Sequence, residues 1–298
     1  MFGALLDKTT GWLDQRLITT IVLPSLVFWA GLGALLATHF GWAAATHRWA
    51  ELDGARQLIV AAGAAVALIS FSLLAQVLLP GLIRLYEGYW LVGTKPAAWL
   101  IDRQKKRWDG LDLTRPRDYT RRYQLYPPDK ADLLPTRLGT TLKAAEAYPG
   151  DPRRYGMDAV FFWPRLYPLL PDALRQSLTA ARSSLEQMLF TATLCGVFAV
   201  TTAVFAATLR LPRSVWIPVL IGTTLLALLC HQAALRVAVS YGELVRSAFD
   251  THRRALLTAM GLEPPKTLEA ERALWKALGQ QLYRGGADSP DLIVFKTT

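Results

Sequence analysis

Four long stretches of this 298-residue chain contain no Asp, Glu, Lys or Arg, and they constrain its fold more than any other feature. The stretches are Leu17–Thr46, Gln57–Ile83, Gln187–Leu209 and Ser214–Leu235. A helix rises about 1.5 Å per residue, so roughly 20 apolar residues cross a bilayer core of about 30 Å. Each stretch reaches that length, and none is the apolar face of an amphipathic pattern. The sequence therefore predicts an all-α membrane protein with four transmembrane helices.

The four stretches fall into two pairs separated by a long charged segment, which predicts two transmembrane hairpins. The charged segment and the tail are expected to form a helical cytoplasmic body. The predicted segments are a first hairpin in residues 1–92 (spans about 18–42 and 57–83), a cytoplasmic helical region in residues 93–186, a second hairpin in residues 187–240 (spans about 187–209 and 214–236) and a cytoplasmic helical tail in residues 241–298.

The distribution of Lys and Arg predicts the orientation of the chain. The two short connections hold only Arg48 with Arg56 and Arg210 with Arg213, whereas residues 84–186 hold eighteen Lys or Arg against twelve Asp or Glu. Because Lys and Arg favour the cytoplasmic side, we expect both termini and the long segment to lie in the cytoplasm of a bacterial inner membrane. The first sixteen residues carry four charges and precede an apolar run too long for a signal peptide, so none is expected.

Outside the spans, Pro, Gly and capping residues predict where helices begin and end. Asp172 follows a proline and precedes an unbroken helical pattern, as an N-cap does. An aromatic block, Val160–Trp163, must be buried on the tail, a neighbouring subunit or the bilayer interface. The predicted elements are helices over Ala97–Trp108, Pro135–Tyr148, Asp172–Leu209, Ser214 to about Met260 and Leu268–Leu282, with a loop over Leu113–Pro135 and a turn-rich segment over Asp151–Pro171.

The chain carries no pattern typical of a catalytic or metal site. HExxH, GxSxG, Walker and GxGxxG motifs are absent from the sequence. The two cysteines, Cys195 and Cys230, both lie inside apolar stretches and form no CxxC or Cys/His ligand set. We therefore expect neither an enzyme nor a metal or cofactor site.

Polar residues in the second stretch suggest a pore. No stretch contains an Asp, Glu, Lys or Arg that could relay protons or bind a charged substrate, which argues against a coupled transporter. We predict that Phe71, Ser72 and Gln76 line a pore with Arg84 at its cytoplasmic mouth, where cationic rings favour anions. In the alternative interpretation, Ser and Thr in the spans only bond to preceding backbone carbonyls.

A cluster of basic residues follows the first hairpin and predicts an anionic ligand. Tyr119, Tyr123 and Tyr126 lie among these residues and could stack on the bases of a nucleotide or oligonucleotide. Interleaved aspartates dilute the field, which favours anionic lipid head groups as the ligand over a nucleotide or short nucleic acid. The predicted ligand-binding residues are Arg103, Lys105, Lys106, Arg107, Arg121, Arg122, Arg153 and Arg154.

The layout of two hairpins and a helical cytosolic body resembles that of bestrophin-type channels, in topology only. The stretches Leu138–Pro149 and Tyr155–Pro171 are similar to a segment of uncharacterised bacterial four-span membrane proteins. By analogy with bacterial defence effectors, which include small multispan channels controlled by nucleotide signals, the basic body would suit such a role.

These features together predict a symmetric homo-oligomeric channel that permits anions and is gated through its basic body. Four mostly apolar spans cannot enclose a water path alone, so a pore requires several copies. The alternative is a non-conducting membrane anchor whose cytoplasmic body binds a protein partner or anionic lipid.

Overall fold

The protein is described by a computed structural model that covers residues 17–209, 211–286 and 288–295. Every named element in these residues is helical, and the only β-pairing among them is an isolated bridge between Leu262 and Phe295. The all-α prediction is confirmed for the described part of the chain. The expectation of no signal peptide, and the role of Arg210, lie outside the described residues.

The chain divides into two compact units, which are described separately. The span unit comprises Met1–Ile83 and Ser183–Ala234, and the polar unit comprises Arg84–Arg182 and Leu235–Thr298. The helices, in chain order, are α1 (Leu23–Phe40, preceded by a π-helix at Ile18–Val22), α2 (Trp42–Ala50), α3 (Gly54–Glu87), α4 (Lys95–Asp109), α5 (Pro116–Leu125), α6 (Arg137–Ala147), α7 (Ala159–Leu166), α8 (Asp172–Thr208), α9 (Arg213–Ala259) and α10 (Leu268–Arg284).

Four of these helical segments are long and apolar enough to cross a membrane, as predicted. They are Ile18–Phe40, Gly54–Glu87, Asp172–Thr208 and Arg213–Ala259. The first ends at Gly41, whose φ of 87° is accessible to glycine without strain, and α2 begins directly afterwards. The predicted continuity of the last two far beyond the apolar stretches is confirmed, because α8 begins at Asp172 and α9 continues to Ala259.

One prediction for the charged segment was wrong, because the predicted loop over Leu113–Pro135 contains a helix, α5. The segment over Asp151–Pro171 begins with turns, as predicted, and also contains the short helix α7. Pro116 is compatible with α5 because it occupies the first turn, where its missing N–H leaves no hydrogen bond unmade. Asp118 in the first turn and Arg122 in the last complement the helix dipole.

The span unit has a small internal core. Ile21, Ala75, Leu79, Phe190 and Leu194 form its buried cluster. Beside it the rings of Phe28 and Phe71 stack at 6.4 Å between centroids. Most other apolar side chains on these helices are exposed, as expected for residues whose solvent is lipid.

The polar unit has a larger core, formed by α7, α8, α9 and α10. The aromatic block is buried here: Phe162 is 1% exposed and its ring meets that of Trp275 at 5.1 Å. Of the three partners considered for this block, the tail is the one it contacts, since Trp275 lies on α10.

Candidate anionic-ligand site

Helix α5 positions the three tyrosines of the candidate site. Tyr119 and Tyr123 are four residues apart on α5, and Tyr126 follows three residues later at its end. Side chains at that spacing share one face of a helix. Helix α5 thus presents Tyr119 and Tyr123 on one face, with Tyr119 57% exposed, and Tyr126 is its C-cap with an extended backbone.

These rings line a cavity of about 370 Å³ in the polar unit, which we call the tyrosine cavity. This volume lies within the range of about 300–1,000 Å³ typical of small-molecule sites. Its other walls come from the loop after α5 and the turn after α6. The cavity is lined by Leu113, Tyr119, Arg122, Tyr123, Tyr126, Pro127, Pro128, Ala144, Tyr148, Asp151, Arg153 and Arg154.

Three arginines of the tyrosine cavity were predicted ligand-binding residues, and each is held by a neighbour. The Arg153 guanidinium donates to both carboxylate oxygens of Asp151, with Nε to Oδ1 at 3.1 Å and Nη2 to Oδ2 at 3.0 Å. Arg154 Nη1 donates to the Tyr148 hydroxyl at 2.8 Å. Arg122 stacks on the Trp108 ring, with its Cζ 3.5 Å from the ring centre.

The electrostatics of the tyrosine cavity favour an anion. Burial, and then the charge of Arg153, lower the pKa of Arg122 below its ordinary value. The lining carries three guanidinium groups and one carboxylate, that of Asp151. An anion placed in the cavity would relieve the repulsion between Arg122 and Arg153 and accept hydrogen bonds from their exposed N–H groups.

A buried polar network packs against the tyrosine rings of the cavity. Arg246 on α9 is 1% exposed, and its Cζ lies 4.6 Å from the centre of the Tyr123 ring. Asp250 accepts hydrogen bonds from the hydroxyls of Tyr148 at 3.0 Å and Tyr155 at 2.8 Å. Burial and the bond to Asp250 raise the pKa of Tyr155 to about 12, so its phenol stays protonated as a donor. The network fixes Tyr148, and through it Arg154, as part of the cavity wall.

Two further predicted residues, Arg107 and Arg121, line a different cavity of the polar unit. This cavity, of about 540 Å³, shares only Tyr126 with the lining of the tyrosine cavity, and we call it the arginine cavity. The remaining predicted residues, Arg103, Lys105 and Lys106, are exposed on α4 outside both linings. Lys106 pairs with Asp102 at 3.3 Å.

The four predicted pore residues all lie on α3. Ser72 is 3% exposed and its hydroxyl donates to the carbonyl of Leu68 at 2.8 Å. Phe71 packs on Phe28, whereas Gln76 and Arg84 are exposed in the single chain. Whether these residues line a pore stays a prediction.

Sequence reasoning missed Tyr148 and Arg246. Tyr148 was assigned only to the end of a helix, and nothing local distinguishes it as a cavity wall. Arg246 did carry a signal, because it interrupts the apolar face formed by Val245 and Phe249 on α9. A charged residue on a core face must find partners, and here they are aromatic rings and Glu243, whose Oε1 lies 3.0 Å from its Nη1.

Within the part of the chain that the structure describes, no three His, Cys, Asp or Glu side chains form a group that could hold a metal ion. Cys195 and Cys230 are free thiols. No protein-family model, curated protein or solved structure matches this chain, so its function is inferred from the residues and geometry above.

Proposed function

We propose that the protein is a homo-oligomeric, anion-permeable membrane channel regulated by a nucleotide-like ligand bound in the tyrosine cavity. One observation carries the proposal: six residues suggested by the sequence for stacking and anion binding line the same cavity. They are Tyr119, Arg122, Tyr123, Tyr126, Arg153 and Arg154. Rings beside guanidinium groups suit a ligand with a flat base and a phosphate.

The exposure of the apolar helices supports assembly of several copies. In the 18-residue apolar stretch of α9 none of the residues is buried inside the chain, and in that of α3 11% are buried. In the proposal, these helices contact lipid on one side and neighbouring copies on another. Symmetric assembly would surround a water path that a single four-helix chain cannot enclose.

In the proposed assembly, two hairpins place both termini and the polar unit in the cytoplasm of a bacterial inner membrane. In this assembly Phe71, Ser72 and Gln76 line the pore, and Arg84 lies at its cytoplasmic mouth. Helices α8 and α9 contribute residues to both units, so ligand binding in one can bias the packing of the other.

Reconstitution into liposomes tests the channel. We expect chloride efflux on adding a nucleotide from a panel of mono- and dinucleotides. Tyr119→Ala should weaken the response about fivefold or more, because base–aromatic stacking is worth about 1–3 kcal/mol. Tyr283→Ala, at a tyrosine that is 76% exposed on α10, is the matched control and should respond normally. Absence of efflux with every nucleotide contradicts the proposal.

A non-conducting anchor is the second candidate, and a specific observation favours it. Hydroxyls in the spans bond to backbone carbonyls of their own helices, as Ser72 does to Leu68 and Thr202 does to Phe198 at 2.8 Å. Such hydroxyls need no water. Gln76→Leu discriminates the two functions, because it should alter conductance in a channel and change nothing in an anchor.

A further inference from the structure

The arginine cavity differs from the tyrosine cavity in the state of its arginines. It is formed by α4, α5 and α6, which contribute Arg107, Arg121 and Arg137. Within the described residues none of these three guanidinium groups has an ion-pair, hydrogen-bond or ring partner. Asp118 is the only carboxylate in the lining. Three guanidinium groups without a partner among the described residues therefore line the same cavity.

An amide side chain lines the same cavity. Gln104 on α4 is 5% exposed, and its side chain makes no hydrogen bond among the described residues. Its amide atoms are not among the fully buried side-chain atoms without a partner, so they reach the open space of the cavity. Gln104 lines the arginine cavity, where its amide is available as an uncharged donor.

Two buried threonine hydroxyls also line the cavity. Thr140 and Thr141 on α6 are 1% and 3% exposed. Their hydroxyls donate to the backbone carbonyls of Leu134 at 3.0 Å and Arg137 at 2.9 Å. Because those protons are used, the anion-binding donors are the guanidinium groups and Gln104.

We propose that the arginine cavity is a second anion site, which binds a phosphate or pyrophosphate group. Guanidinium groups bind phosphate oxygens through paired N–H donors, and three of them can neutralise a multiply charged group. The volume of about 540 Å³ admits more than a single small anion. The site goes beyond the proposed function, because its lining differs from that of the tyrosine cavity and it requires no base to stack.

Calorimetric titration of the full-length chain in detergent with inorganic pyrophosphate tests the site. Arg121→Gln and Arg137→Gln should each weaken binding about tenfold. Arg117→Gln is the matched control, because Arg117 is an exposed arginine on the same helix, α5, outside the cavity lining. It removes the same formal charge and should change the affinity less than about twofold. Tyr119→Ala should leave pyrophosphate binding unchanged. A failure of the proposed second anion site can therefore be distinguished from a failure of the proposed nucleotide response.

A second titration distinguishes a free phosphate compound from a lipid head group as the source. Short-chain phosphatidic acid is compared with phosphatidylcholine of the same chain length. Pyrophosphate binding that depends on Arg121 supports a free ligand, and Arg121-dependent binding of phosphatidic acid alone supports a head group. Gln104→Leu should weaken whichever probe binds. The proposal is overturned if neither probe binds below about 1 mM, or if Arg117→Gln weakens binding as much as Arg121→Gln.

Discussion

The two units of this protein use apolar side chains in opposite ways. In the polar unit, Phe162 and Trp275 are each 1% exposed and lie in a core shared by four helices. In the span unit, Leu225 and Leu229 are 54% and 66% exposed, although their helix is one of the four that are long and apolar enough to cross a membrane. Large apolar side chains are therefore buried in the core of one unit and exposed on the surface of the other.

This contrast indicates two different solvents. Water drives the polar unit to bury its aromatic rings, because removing apolar surface from water is favourable. Lipid tails are as apolar as leucine, so the span unit gains little from burying its own leucines. An exposed apolar side chain consequently contacts lipid in the span unit and water in the polar unit, and substitutions can test this difference.

The largest effect is expected for Phe162→Ala in the polar unit. Removing a buried ring that contacts Trp275 at 5.1 Å should lower the free energy of unfolding by about 3–5 kcal/mol. Urea-induced unfolding of the full chain in detergent, followed by tryptophan fluorescence, measures it. Val160→Ala on the same helix is the control, since Val160 is 64% exposed and should lose less than about 0.5 kcal/mol. Similar losses for both would mean that the aromatic block is not a core.

The next largest effect separates exposure to lipid from exposure to water. Leu225→Arg in α9 should raise the apparent free energy of membrane insertion by about 2.5–3.5 kcal/mol, because it places a charge in the bilayer. Leu113→Arg in the polar unit is matched to it, since Leu113 is 51% exposed and Leu225 is 54% exposed. A glycosylation-based insertion assay on the full chain should detect a loss only for Leu225→Arg. Equal behaviour of the two variants would contradict the assignment of different solvents.

A smaller effect tests close backbone packing in the polar unit. A Cβ at Gly139 would lie 2.2 Å from the carbonyl oxygen of Glu87, which also accepts a 2.9 Å hydrogen bond from Thr136. Gly139→Ala should therefore lower the free energy of unfolding by about 1–3 kcal/mol in the urea titration. Gly279→Ala in α10 meets nothing within 4 Å and should raise it by about 0.5–1 kcal/mol. Stabilisation by both would show that α6 does not approach Glu87 this closely.

The sequence predicted the long helices because their signals are local and repeated. Charge-free stretches predicted four spans, and the unbroken helical pattern after Asp172 predicted that α8 begins well before the third apolar stretch. Helix α5 was missed because Pro116 and the dense charge around it were interpreted as a loop. Proline is compatible with the first turn of a helix, so the number of prolines in a segment does not exclude a helix unless their positions are also considered.

The sequence predicted the candidate site only in part, because its walls meet through distant contacts. Tyr119 and Tyr123 share one face of α5, Tyr126 directly follows the helix, and all three could be grouped from their closeness in the sequence. Arg246 joins them from α9 across a separation of more than a hundred residues, and no local pattern specifies that pairing. Nor could spacing show that the neighbouring residues Arg121 and Arg122 line different cavities.

The smallest effect concerns the carboxylate of the tyrosine cavity and its pH dependence. Although burial opposes it, the hydrogen bonds and charge of Arg153 hold the pKa of Asp151 below its ordinary value. A carboxyl whose pKa is lower in the folded than in the unfolded state stabilises the fold above the unfolded pKa of about 3.9, and this stabilisation is lost as pH falls through the folded pKa.

Asp151→Asn should therefore lower the melting temperature at pH 7 by a few degrees, corresponding to about 1 kcal/mol, because its partner Arg153 is largely exposed. The difference from the unaltered chain should close as pH falls through the folded-state pKa of Asp151. Asp102→Asn removes an exposed pair with Lys106 and should change the melting temperature little at neutral or acidic pH. A difference in melting temperature that persisted in acid would mean that the shape of the Asp151 side chain, rather than its charge, orders this wall of the cavity. The charge of Asp151 would then not hold Arg153, and Arg153 would be free to bind the ligand by itself.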